Sequence, residues 1–212
     1  MIIDIETIIK QDLERIQLNE NYKEFSEYNY WFPKTVETDS ILFIGINPSY
    51  SDYKENERIK VFNICQQGNS HQYFGRMEEI SENCKTKWSH LDLLYFRSKS
   101  QNDIYEILRM KNGKDFLSEQ LKISDKLIRL SKPKVIVVCN TLARDLFLKL
   151  ENRKLQNLSL NYEFIDDDLL GTYRWKNTPV FFSGMLSGLR ALDNGSYKRL
   201  SWHIRKSLNI VS

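Results

Sequence analysis

The sequence predicts an α/β protein: a three-layer α/β/α sandwich around a central, mainly parallel, four-stranded sheet. Three observations predict it. Ile41-Leu42-Phe43-Ile44 is an unbroken apolar run that ends in Gly45-Ile46-Asn47-Pro48-Ser49, the pattern of a strand buried on both faces. Val135-Ile136-Val137-Val138-Cys139 repeats that pattern directly after Lys132-Pro133-Lys134. Around both runs, apolar residues recur at helical spacing, and strands that alternate with helices assemble as parallel sheets.

The elements follow in order. Ile5, Ile8, Ile9, Leu13 and Ile16 mark an amphipathic opening helix, and a polar, aromatic-rich stretch from Asn19 to Pro33 leads to the first strand. From Tyr50 to Lys87 the chain lacks periodicity, and Gly68, Asn69, Ser70 and Gly75 mark loops of the length that lids and binding loops have. Leu91 to Phe96 reads as a second strand, interrupted by Asp92. Phe116, Leu117, Leu121, Leu127, Ile128 and Leu130 mark a helix that Pro133 must end. After the Val135–Cys139 strand, Asn140 or Thr141 can cap a helix running to about Leu150. Val180-Phe181-Phe182 forms the fourth strand, and Tyr197, Leu200, Ile204 and Leu208 line a closing helix with Ser196 as its cap.

Composition narrows the function classes. A chain of 212 residues suits a single domain, with residues 1–35 as a helical extension packed on it. No apolar run approaches the roughly 20 residues that cross a bilayer, so no membrane partner is expected. Met-Ile-Ile-Asp-Ile-Glu at the start has early acids and no basic flank, unlike a secretory signal. Cys65, Cys84 and Cys139 are odd in number and lack Cys-x-x-Cys spacing. Neither a disulfide framework nor a zinc or iron–sulfur site is expected, and a reducing cytoplasm is the natural home; the chain is expected to be a monomer. A net charge of +3 is compatible with nucleic acid without requiring it.

The turn after the first strand is the strongest candidate site. Ligands of open α/β sheets bind beyond the carboxyl ends of the strands. Gly45 lets backbone approach a ligand closely, and Pro48 stiffens the turn that carries Asn47. Asn47 either works at a site or satisfies local backbone, as asparagines in turns commonly do.

These residues, taken together, resemble the uracil-DNA glycosylase superfamily. Gly45-Ile46-Asn47-Pro48 is similar to the first motif of its mismatch-specific uracil/thymine branch. Leu91-Asp92-Leu93-Leu94-Tyr95-Phe96-Arg97 is similar to its second strand. Leu127 to Val138 resembles its helix, Lys-Pro turn and third strand, and Phe181-Phe182-Ser183-Gly184-Met185-Leu186-Ser187-Gly188 stands where the second catalytic motif falls.

The resemblance implies a DNA partner, no cofactor or metal, and hydrolysis of the N-glycosidic bond of a base flipped from the duplex. Asn47 would orient the attacking water; its neutral amide cannot take the proton, which implies slow turnover. Gly45, Ile46, Pro48 and Ser49 would line the site, and Tyr73, Phe74 or Phe62 would supply a stacking ring or simply pack in the core. In the second motif, Met185 stands in the place of a histidine donor and Leu186 in that of a proline, and only Ser187 matches. Loss of such a donor costs about 100- to 1000-fold in rate. Met185 or Leu186 would wedge into the duplex, with Ser187 and Gly188 on the phosphate backbone.

Asp92 falls near an asparagine that reads the base edge. As a carboxylate it would favour bases with N–H or amino groups; the alternative is an Asp that ends the strand or pairs with Arg97. The other function class left open is a binding protein of the same fold, catalytically weak or inactive, that holds DNA, a nucleobase or a nucleotide. His71, His90 and His203 match no metal or triad spacing. Arg190, Lys198, Arg199, Arg205 and Lys206 would suit phosphates or form a solvated helix face, and Asp166-Asp167-Asp168 reads as a solvated loop.

Overall fold

The computed structural model describes residues 1–49, 58–63, 73–148, 153–188 and 190–210. Cys65, Gly68, Asn69, Ser70, His71 and Leu150 therefore lie outside the described residues.

Four strands form the parallel heart of a six-stranded sheet: β4 (Ile41–Gly45), β6 (Trp88–Asp92), β7 (Val135–Val138) and β10 (Thr178–Phe182). The sheet order is β6-β4-β7-β10, extended by two antiparallel strands, β9 (Thr172–Trp175) and then β8 (Ile165–Asp167). The order places β4 and β7 inside the sheet, so both faces of each must be apolar; every residue of both strands is buried.

Their side chains alternate between two cores. Leu42, Ile44, Ile136 and Val138 join the larger one with helices α1 (Glu6–Gln17), α3 (Asn102–Arg109), α4 (Gly113–Ser131) and α5 (Thr141–Phe147). Ile41, Phe43, Val135 and Val137 join the other with α2 (Gly75–Asn83) and α6 (Asn194–Ser207). Helices thus cover both faces of the sheet. The amino-terminal helix is part of this frame, since Ile9, Leu13 and Ile16 lie in the larger core.

Among the described residues four short strands lie outside the main sheet. β1 (Ile2–Asp4) pairs antiparallel with β3 (Thr35–Glu37), and β2 (Tyr30–Pro33) pairs parallel with β5 (Ile59–Phe62).

Several expectations need correction. The second strand starts at Trp88 and ends at Asp92, earlier than the Leu91–Phe96 reading, because Ser89 and His90 broke the apolar pattern yet are buried. The Tyr50–Lys87 stretch is not irregular throughout: it holds β5 and α2, and Gly75 begins the helix rather than marking a loop. Ser196 is not the cap of α6; Asp193 is, accepting from Ser196 N at 2.9 Å. Asp166 and Asp167 belong to a strand, and Asp167 is buried against Arg174. Asn140 does cap its helix, accepting from Leu142 N at 2.8 Å and Ala143 N at 3.3 Å.

Candidate functional site

The carboxyl ends of β6, β4, β7 and β10 are neighbours, and the segments that leave β4 and β6 continue side by side. Leu93 N donates to Gly45 O, Leu94 N to Ile46 O and Ser98 N to Pro48 O, and Ser49 pairs with Ser98 as an isolated bridge. Asn47 sits half-buried between these segments. Its Nδ2 donates to Ser98 Oγ at 2.9 Å and Pro48 O at 3.1 Å, with Phe96 O at 3.4 Å. Two of those three acceptors are carbonyls, so this edge of the side chain must be the NH2 group. Oδ1 accepts no hydrogen bond from any described residue. The carboxamide is therefore held by its nitrogen, and its acceptor is left open.

Beside this turn, on the face that α2 and α6 cover, a polar row crosses the strand ends. In the β4–β6 register Gly45 lies opposite Asp92 and Phe43 opposite His90. A Cβ at Gly45 would stand 2.1 Å from Asp92 Oδ1 and 3.2 Å from His90 Nε2. Only glycine leaves room for that carboxyl to turn in over the strand. Cys139 sits on the same face, in the core with Phe43 and Val137. Ser183 lies two residues beyond Phe181 of that core, which puts it on the same side of the chain.

The row is short of partners. His90 is 2% exposed, and neither ring nitrogen has a hydrogen-bond partner among the described residues; Ser183 Oγ is likewise buried and unpartnered. His90 Nε2 lies 3.8 Å from Asp92 Oδ1, too far for a hydrogen bond. Burial pushes the Asp92 carboxyl up to about 7 and the His90 imidazole down to about 3, so near neutral pH the imidazole is uncharged and the carboxyl is at its midpoint. Burial also raises the Tyr73 phenol and the Cys139 thiol, with the Asp92 charge adding to both.

Tyr73 and Phe74 come to this row as packing. Their rings meet edge-on at 5.0 Å, and both pack edge-on against His90, at 5.7 and 5.3 Å. Phe74 also reaches Trp88 and stacks on Phe62. Arg97 does not pair with Asp92: its guanidinium stacks on Trp31 at 4.8 Å, and its Nε donates to Ser49 O at 3.2 Å.

The loop after β10 folds back on itself. Leu192 N donates to Met185 O at 2.8 Å, Ala191 N donates to Gly188 O, and Gly188 has φ +83°, which suits glycine. Met185 and Ser187 are half-buried and Gly188 is exposed. Leu186 is 2% exposed and packs in the core beneath α6, whereas Met185 is the more exposed of the two. Among the described residues no hydrogen bond joins this loop to the Asn47 turn. Two surface clefts, of about 320 Å³ around Lys23 and Lys111 and about 520 Å³ around Tyr105 and Lys154, involve none of these residues.

The structure thus joins Asn47 to the Phe96–Ser98 segment and joins Gly45 to Asp92 and His90. Ser98, His90, Cys139 and Ser183 were missed as neighbours of the site. A period of two back from Asp92 and on from Val137 and Phe181 would have found three of them; nothing local marks Ser98. Among the described residues no cluster of acids, histidines and cysteines could hold a metal ion. No protein-family model matches the chain, and no curated protein matches it either.

Proposed function

We propose that the chain is a DNA base-excision enzyme on the uracil-DNA glycosylase fold, a three-layer α/β/α sandwich in which β6, β4, β7 and β10 are the four parallel strands. The observation that carries the reading is the anchoring of Asn47. A carboxamide fixed through Nδ2, with Oδ1 open, can accept a hydrogen bond from one water and aim that water's lone pair. The water oxygen then bonds to the sugar carbon as the base departs with the electrons of the glycosidic bond. The water's proton leaves to solvent or the base, because Asn47 cannot take it. Asp92 near its midpoint can both donate and accept at neutral pH. In its protonated form it could donate to a uracil-like carbonyl, and in its ionised form it would accept from an amino-bearing base.

A second reading, a binding protein with little or no chemistry, is favoured by Met185. It stands where a hydrogen-bond donor to the leaving base is expected, and a thioether cannot donate.

Base release from oligonucleotides carrying uracil, hypoxanthine, xanthine or mispaired thymine tests both readings. Wild type should yield abasic product, and Asn47→Ala should lose it by about 100-fold or more. Ser98→Ala should lower kcat about fivefold, the worth of one hydrogen bond, with KM little changed. DNA binding without product from any base would overturn the enzyme and leave the binder.

A further inference from the structure

One helix supplies more positive charge than the net of +3 that the whole chain carries. α6 carries Lys198, Arg199, Arg205 and Lys206 and no acid. Without those four, the remaining 27 of 31 lysines and arginines face 28 acids, a net −1. Tyr197, Leu200, Ile204 and Leu208 point inward and pack on the sheet core. Lys198, Trp202 and Lys206 recur every four residues and so share a different face. Lys198 and Arg199 are exposed, and Trp202 is 43% exposed, an unusual place for the largest side chain. Lys206 Nζ lies 5.3 Å from the Trp202 ring centre, and His203 meets the indole edge-on at 5.0 Å.

We propose that this outer face of α6 binds single-stranded nucleic acid, with Trp202 as the platform on which an unpaired base stacks. Lys198, Arg199 and Lys206 pair with the phosphates on either side. Cations one turn above and one turn below an aromatic ring, spanning about 12 Å of helix axis, match the combination that sequence-tolerant strand binding uses. A phosphate drawing the Lys206 ammonium away from the ring would free an indole face for the base. An anionic membrane fits less well: a membrane-seated helix needs a continuous apolar face, and on α6 that face is already spent on the sheet. The surface would bind a strand whether or not Asn47 performs chemistry, so the two readings fail separately.

The test is fluorescence anisotropy with a labelled oligothymidine of about 16 nucleotides, which carries no excisable base. Trp202→Ala should weaken binding roughly 5- to 100-fold, with Trp202→Phe retaining most of the affinity. Lys198→Ala with Lys206→Ala should reduce the slope of log affinity against log salt by about 1.4, two phosphate contacts on a single strand. All these positions are exposed or half-exposed, and unchanged melting temperatures would show that the variants fold. The proposal is overturned if wild type does not bind, if the variants bind like wild type, or if vesicles containing phosphatidylserine bind the face and oligothymidine does not displace them.

Discussion

Gly45 has no Cβ, and that absence decides where the Asp92 carboxyl lies: over the strand, against His90, in a place water scarcely reaches. Both groups of this pair are driven neutral in the fold, Asp92 upward from 3.8 and His90 downward from 6.5. Between about pH 4 and 6.5 the unfolded chain carries one proton on the pair, on His90, and the folded chain also carries one, on Asp92. With equal proton counts, the pair gives stability no slope with pH there. His90→Phe removes one side of the balance. The fold then holds a proton on Asp92 that the unfolded chain has lost, so stability falls as pH rises, by up to roughly 1.4 kcal/mol per unit. Denaturant unfolding of wild type and variant near pH 4.5 and 6.5 reads the difference, and parallel profiles would refute the burial argument. Asn47 was legible in the sequence because Gly, Asn and Pro are conspicuous together after an apolar strand. Its anchor was not, since Ser98 lies 51 residues away and the contact exists only once β4 and β6 pair.

At the scale of elements, legibility followed burial. Strands buried on both faces print continuous apolar runs, so β4, β7 and β10 could be read directly. β6 was displaced because Ser89, His90 and Asp92 are buried polar residues that periodicity counts as exposed. α3 holds only eight residues, and β1 is defined by pairing with a strand more than 30 residues away, so neither leaves a local signature. α4 ends as Pro133 requires, but it does so through Lys132 in the left-handed region at φ 44°, a conformation a side chain strains to adopt. Lys132→Gly should therefore stabilise the fold by about 0.5–1 kcal/mol, read as a rise of roughly 1–4 °C in Tm. A fall would mean that the Lys132 side chain contributes more than its strain costs.

Over the whole molecule, stability should be graded from the middle of the sheet outward. β4 and β7 each have a strand on both sides and a core on both faces, whereas among the described residues β8 has β9 as its one neighbour. Hydrogen exchange read by mass spectrometry should find amides of β4 and β7 the slowest and those of β8 among the fastest. Comparable rates in β4 and β8 would contradict that grading. The two ends of the sheet also differ in how they meet solvent. At β6, Trp31 N donates to Tyr95 O just beyond the strand and Glu37 N donates to Ser89 Oγ, so the flanking β2 and β3 shield that edge. At β8 the exposed Ile165 and Leu169 flank the three aspartates, and Asp166 and Asp168 stand in solvent. Two copies of this chain meeting edge to edge at β8 would have to bring Asp166 and Asp168 of each together, and that repulsion would disfavour fibre-like association at the margin of the sheet.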